Sequence, residues 1–371
     1  MRKTLFSFAP LFVFLAPILA GVQLLYAPSL SERQSATAAG VSHEQAVLGD
    51  IRARLLDARR ALETHRPETT EAVRLAVEDG ASGAMHLVEV PKEIYLAKGA
   101  EAELVSSLGE AVRLRVVRAN GVNTAVNVTD GAGRELRPLV VQYPIEREGR
   151  LEEVAYYTSA HPALASDALT RGGSLYVRGQ LDRAAARLRE QGKRISPEIV
   201  DVAERLCVVE HTDHKRFKAE DRARLFEEIY ALYALNAGDT YRYSVSSAGA
   251  GGMIQMIPPT YEAMRERHQV GLKSDFVEGM RDHSNAAEAM LLYMQDTWDT
   301  LLRSEEVRAA LASKTATQAE LLAAGYNSNP ARLPRYLERG GGLWRTLIPA
   351  ETQMYLRIYS EVSRLAFKDE G

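Results

Sequence analysis

The stretch Ser246-Ser247-Ala248-Gly249-Ala250-Gly251-Gly252-Met253-Ile254-Gln255-Met256-Ile257-Pro258-Pro259-Thr260 decides how this chain is read. Glycines at 249, 251 and 252 let a backbone bend tightly and approach a ligand with no Cβ in the way. Met253, Ile254, Met256 and Ile257 then bury the segment, and Gln255 sets a donor and an acceptor among them. Pro258, Pro259 and Thr260 mark the start of a helix. By composition alone this is a turn leading into a helix.

Upstream, Ser196 is an N-cap, Pro197 suits the first helical position, and Ile195 can staple onto Val200. Ile199, Val202, Ala203 and Leu206 recur at helical spacing, and the same wheel puts Glu210 in the middle of their stripe. A carboxyl held against apolar side chains loses hydration of its charged form, so its pKa rises and it can carry a proton near neutral pH. A general acid needs that property. The plain alternative is a helix end that has already reached solvent.

Taken together, these residues resemble the lytic transglycosylases of the soluble-lytic-transglycosylase type, a family with a lysozyme-like fold. Its blocks run Glu-Ser, then Ser-x-x-Gly-Ala-x-Gly-Leu-Met-Gln-Leu-Met-Pro-x-Thr, then Asn, then Ala-Tyr-Asn, then Glu-Thr-x-x-Tyr. Ser246, Gly249, Ala250, Gly252, Gln255, Met256, Pro258 and Thr260 fall on the second block, with Met253 and Ile254 in place of Leu-Met. Asn285, Gly325-Tyr326-Asn327 and Glu351-Thr352-Gln353-Met354-Tyr355 follow in order. The match covers residues 195–365. It departs at His211, where the family has Ser, and in a longer segment between Glu210 and Ser246.

The resemblance implies cleavage of the MurNAc-GlcNAc β-1,4 bond of peptidoglycan with formation of 1,6-anhydromuramoyl ends. Glu210 is then acid and afterwards base, and Ser246, Gly252, Gln255, Met256, Tyr326, Asn327 and Glu351 contact the substrate. Tyr326 is expected to donate a hydrogen bond to Glu210. No second catalytic carboxylate, metal or cofactor is called for. Two other readings stay open. A hydrolytic muramidase would use Asp213, Asp221 or Asp239 as a partner acid, and an inactive scaffold would bind peptidoglycan only. His211 and His214, three apart, could share a helix face as metal ligands, but the pattern is not His-Glu-x-x-His and no third ligand is indicated.

The implied fold class is an α-rich, lysozyme-like C-terminal catalytic domain over residues 175–367, preceded by a small α+β module and an N-terminal apolar targeting segment. Arg2 and Lys3 precede the apolar run, so residues 1–28 read as a signal peptide or, through residues 4–26, as a membrane anchor, and the rest as exported to the periplasm or cell envelope. Residues 29–42 read as a linker and 43–80 as a helical segment, with Val47, Ile51, Leu55, Ala58 and Leu62 on one face. Over 85–160 the period changes to two: Val112, Leu114 and Val116 alternate with Arg113 and Arg115, and Asn120-Gly121 reads as a hairpin turn. The arginines of this module read either as a surface for glycan strands or an envelope protein partner, or as the solvated face of a sheet. A stretch of small residues over 159–173 reads as the boundary, followed by a short helix over 181–190.

Net charge −3 argues against nucleic acid as a partner, and a single cysteine, Cys207, excludes an intramolecular disulfide. Phe226, Tyr230, Tyr233, Tyr241 and Tyr243 crowd the segment between Glu210 and Ser246, either as the wall of a glycan groove or as core. In the last helix Glu351 shares a stripe with Tyr355, Ile358, Val362 and Leu365, which predicts a second acid pointing inward.

Overall fold

Among the described residues seven strands carry the first half of the chain, and every pairing between them is antiparallel. The computed structural model describes residues 30–366 except residue 68, so the apolar run over 4–26 lies outside the described residues. Contacts divide the chain after Glu44, and all packing given below belongs to the unit that begins at Gln45. Among the described residues no helix is long and apolar enough to cross a membrane.

Strands β1 (Ala72–Asp79), β2 (Met85–Pro91), β3 (Glu101–Val105), β4 (Ala111–Arg118), β5 (Ala125–Asp130), β6 (Glu135–Arg147) and β7 (Arg150–Tyr157) form one sheet. Its order is β2-β1-β6-β5-β4-β3, with β7 paired to β6. A bridge between Val88 and Ser106 joins the two ends, so the sheet is nearly closed. The alternation in β4 holds: Val112, Leu114 and Val116 are buried, while Arg113 and Arg115 face out and pair with Glu103 and Glu101 across β3. A short helix, α2 (Lys92–Tyr95), drops Tyr95 into the same interior.

Helix α1 (Leu30–Glu63) starts well before Ser42, so the segment read as a linker is helical from Leu30. It also ends earlier than residue 80, because the Val73–Val77 run enters β1 instead. Leu55, Ala58 and Leu62 pack on Ala76, Leu139 and Val140 of the sheet. The C-terminal part of the expected stripe is therefore buried, against strands, while Val47 and Ile51 are half-buried.

The second half is helical. Helix α3 (Asp167–Glu190) takes in the C-terminal part of the small-residue boundary and the helix expected over 181–190, with Ser166 capping Leu169 N–H. Then come α4 (Pro197–Val209), α5 (His214–Ala219), α6 (Arg222–Asn236), α7 (Pro258–His268), α8 (Phe276–Arg281), α9 (His283–Leu301), α10 (Glu305–Ala312), α11 (Gln318–Asn327), α12 (Leu333–Gly340) and α13 (Ala350–Ala366). The Thr317/Glu320 capping box opens α11 as the sequence predicts. Helix α9 is buried along almost its whole length and forms the centre of this layer.

The expected fold class needs correction, since the protein is not a helix-dominated, lysozyme-like fold with a small module attached. The large, nearly closed antiparallel sheet and the helices belong to one unit, and α6 joins them. Leu225, Phe226, Ile229, Tyr230 and Tyr233 of α6 enter the helical core, while Leu232 enters the sheet interior. A helix apolar on nearly every side has to be enclosed by two layers. Phe226, Tyr230 and Tyr233 are thus core residues and wall no groove.

Candidate functional site

Glu210 follows the last turn of α4. Ser196 Oγ accepts from Ile199 N–H at the start of the helix, Pro197 occupies its first turn, and Glu210 N–H closes it onto Leu206 carbonyl. The apolar stripe buries Ile199, Val202, Ala203 and Leu206, which carries the Glu210 carboxyl into the half-buried margin of the core. Loss of hydration there pushes its pKa up to about 8. Tyr355 Oη donates to Glu210 Oε1 at 2.5 Å and acts in the opposite direction, while the negative charge of Glu351 adds to the rise. At neutral pH the carboxyl therefore holds its proton.

The glycine loop is clamped beneath this helix end. His211 Nε2 meets Met253 carbonyl at 3.0 Å, and Tyr326 Oη donates to Ile254 carbonyl at 2.8 Å. Since a carbonyl only accepts, the His211 ring carries its proton on Nε2. Its other partner is Tyr241, stacked with ring centroids 3.4 Å apart and planes 2° from parallel. Burial drives His211 down to about 3, so its imidazole, like the Glu210 carboxylic acid, is uncharged at neutral pH.

Within the loop, Ser246 accepts from Ala250 N–H through Oγ and receives Gly249 N–H on its carbonyl, so it closes its own turn. Gly252 sits at φ 67°, and a Cβ there would lie 2.4 Å from Met280 carbonyl. Its function is close packing on α8. We expect Gly252→Ala to cost about 2–4 kcal/mol, read as a lower urea midpoint at unchanged slope; an unchanged midpoint would refute the packing argument. Gln255 adopts the left-handed conformation at φ 46° and turns its amide onto Gly252 carbonyl and Ser244 Oγ, at 2.9 and 3.2 Å.

Several predicted site residues lie elsewhere than expected. Tyr326 does not bond Glu210, because its hydroxyl is taken by Ile254 carbonyl; the donor is Tyr355, from α13. Met256 is 3% exposed and belongs to the core under the loop. Glu351 is exposed in the first turn of α13 and reaches Glu210 only through its charge, so the inward-pointing second acid is corrected. Asn327 is half-buried at the end of α11, one residue from Tyr326. Asn285, buried, bonds Tyr261 hydroxyl and Gly279 carbonyl and receives Lys273 N–H, which ties α7, α8 and α9 together.

Tyr355 was within reach of sequence reasoning: it lies one turn beyond Glu351, on the apolar stripe of α13. Its hydrogen bond favours the ionised carboxylate, so Tyr355→Phe is expected to raise the Glu210 pKa above about 8. Glu351→Gln is expected to lower it. A carbon-13 titration of the Glu210 carboxyl reads both, and a pKa unmoved by either change would discard this electrostatic account.

Among the described residues no group of three His, Cys, Asp or Glu is arranged to hold a metal ion. Asp213 and Asp221 are spent as N-caps of α5 and α6, accepting from Lys215 and Arg216 N–H and from Arg224 N–H respectively. A cavity of about 540 Å³ adjoins the site, lined by His211 and Ser244 together with residues of the sheet. Comparison with protein-family models, curated proteins and solved structures gives no match to this chain.

Proposed function

We propose that this protein is a peptidoglycan lytic transglycosylase that cleaves the MurNAc-GlcNAc β-1,4 bond and leaves 1,6-anhydromuramoyl ends. The observation that carries the reading is the Glu210 carboxyl, held protonated at neutral pH by burial beside a tyrosine donor. Such a group can pass its proton to the glycosidic oxygen while the C–O bond breaks and its electron pair moves to that oxygen. The carboxylate that results accepts a stronger, charge-assisted hydrogen bond from Tyr355. It then takes the proton of the sugar's 6-hydroxyl as that oxygen closes on the anomeric carbon, so no water is consumed.

Only one catalytic carboxylate is needed on this reading; of the acids a hydrolytic mechanism would draw on, Asp213 and Asp221 are engaged in capping and Asp239 lies against Arg242. The same reading makes the protein an exported one, of the periplasm or cell envelope, with residues 4–26 as signal or anchor. Digestion of purified sacculi followed by mass spectrometry is the test, since an anhydro end is lighter than a reducing end by one water. Reducing ends would make the enzyme a muramidase. Sacculi bound without release would make it a scaffold.

A further inference from the structure

From Arg303 to Arg357 the sequence holds eight Arg and Lys against five Glu, in a chain whose net charge is −3. The excess collects on α12. Leu333 and Leu337 form its buried side; on the opposite side Arg335 and Arg339 stand one turn apart, with Arg332 one turn before them. All three are exposed, and among the described residues none has a hydrogen-bond or ion-pair partner for its guanidinium. Glu338 is the only acid on this helix, and Glu320 of α11 is held by Arg345 at 2.6 Å. On α10, packed beside α12, Glu305 and Glu306 are balanced in number by Arg308 and by Lys314 just beyond it. The face therefore keeps an excess of positive charge.

The chain then makes a 3-10 turn over Gly341–Thr346. Trp344 of that turn is buried and donates to Thr315 carbonyl at 3.3 Å, which fixes the turn and leaves Leu343 70% exposed. Leu347, 40% exposed, rests on the end of α12, since a Cβ at Gly340 would lie 2.9 Å from its Cδ1. Two aliphatic side chains thus stand beside unmatched arginines.

We propose that α12 and the turn after it form a docking surface for an anionic phospholipid bilayer. A stable protein interface buries roughly 1,200–2,000 Å² around aromatic or arginine anchors seated in pockets, but here Trp344 is spent on the core and Tyr336 is half-buried. A bilayer surface needs less. Leu343 enters the headgroup layer while the guanidinium groups of Arg332, Arg335 and Arg339 meet lipid phosphates, whose negative surface potential complements the excess charge. This docking does not depend on the chemistry proposed for Glu210.

The test uses the full chain with Leu343→Cys carrying a polarity-sensitive dye; Cys207 is buried and is not labelled. The label reports residue 343 itself, so membrane binding through the apolar run over 4–26 does not mimic it. Its emission is expected to shift to the blue with vesicles of equimolar phosphatidylglycerol and phosphatidylcholine, and not with phosphatidylcholine alone. Joint replacement Arg332→Glu, Arg335→Glu and Arg339→Glu is expected to raise the vesicle concentration giving half the shift at least about tenfold, or to abolish the shift. Should that variant fail to fold, salt decides: about 0.5 M is expected to remove most of the shift by screening. No shift on anionic vesicles, an equal shift on neutral ones, or a shift kept by the folded triple variant or at high salt overturns the proposal. A label that responds to polyglutamate and not to vesicles overturns it too, in favour of an acidic protein partner.

Discussion

Glu210→Gln is expected to abolish release of anhydro products, with a loss of roughly 10²–10⁴-fold for the acid–base step alone, while sacculus binding is retained. The amide keeps the shape of the acid but can neither give up a proton nor recover one. The same substitution separates catalysis from stability. With its folded pKa of about 8 above the ordinary 4.5, wild-type Glu210 contributes stability that is complete below pH 4.5 and lost as pH rises through 8. Relative to Glu210→Gln, the wild type should therefore lose a few kcal/mol across that window, a figure tempered by the partial exposure of the side chain. Thermal melts of both proteins at pH 4, 6 and 8.5 measure the gap. A gap independent of pH would mean that Glu210 titrates as an ordinary surface carboxylate, and the proposed proton donor would be lost with it. His211 imposes an opposite limb, since its folded pKa of about 3 lies below the ordinary 6.5. Its contribution is present above pH 6.5 and lost as pH falls toward 3.

The largest effect on stability is expected at Gly173, in α3. A Cβ there would lie 1.8 Å from Tyr230 carbonyl and 2.5 Å from its carbon, so α3 and α6 touch through bare backbone. At an unconstrained helical position glycine to alanine stabilises by about 0.5–1 kcal/mol, which fixes the sign of the alternative. Here we expect Gly173→Ala to destabilise by more than about 4 kcal/mol, because the two backbones must separate by an ångström or more and empty the packing around Tyr230 and Tyr233. Urea unfolding decides between the two signs. A stabilised Gly173→Ala protein would mean that the helices stand farther apart than described. Since α6 also supplies Leu232 to the sheet interior, the same variant should loosen the sheet, read as faster amide exchange in β4 and β5.

Much of the candidate site was legible before any coordinates, for a local reason. The cap at Ser196, the proline that follows and the stripe ending at Glu210 all lie within four turns, and an apolar stripe states which face of a helix is covered. The left-handed bend at Gly252 is local in the same way. The donor to Glu210 was not legible. Tyr326 and Tyr355 both occupy apolar faces, and which hydroxyl reaches a carboxyl more than a hundred residues away depends on how α11 and α13 are set against α4. Sequence periodicity carries no record of that placement.

By itself the sequence determined the elements: the capped α4 with its buried-face acid, the alternating β4 and the capping box of α11. The reversal after β4 was placed correctly but not its form, since the chain makes a 3-10 turn over Gly121–Asn123 and enters β5 only at Ala125 instead of turning tightly at Asn120-Gly121. Only the tertiary structure decided that strands and helices share one unit, that α6 is enclosed from both sides, and that the tyrosines of the segment after Glu210 serve chiefly as core. The physical reason is that hydrophobic patterning fixes how much of each element must leave water, while the surface that receives it is chosen by shape complementarity between segments distant in the chain.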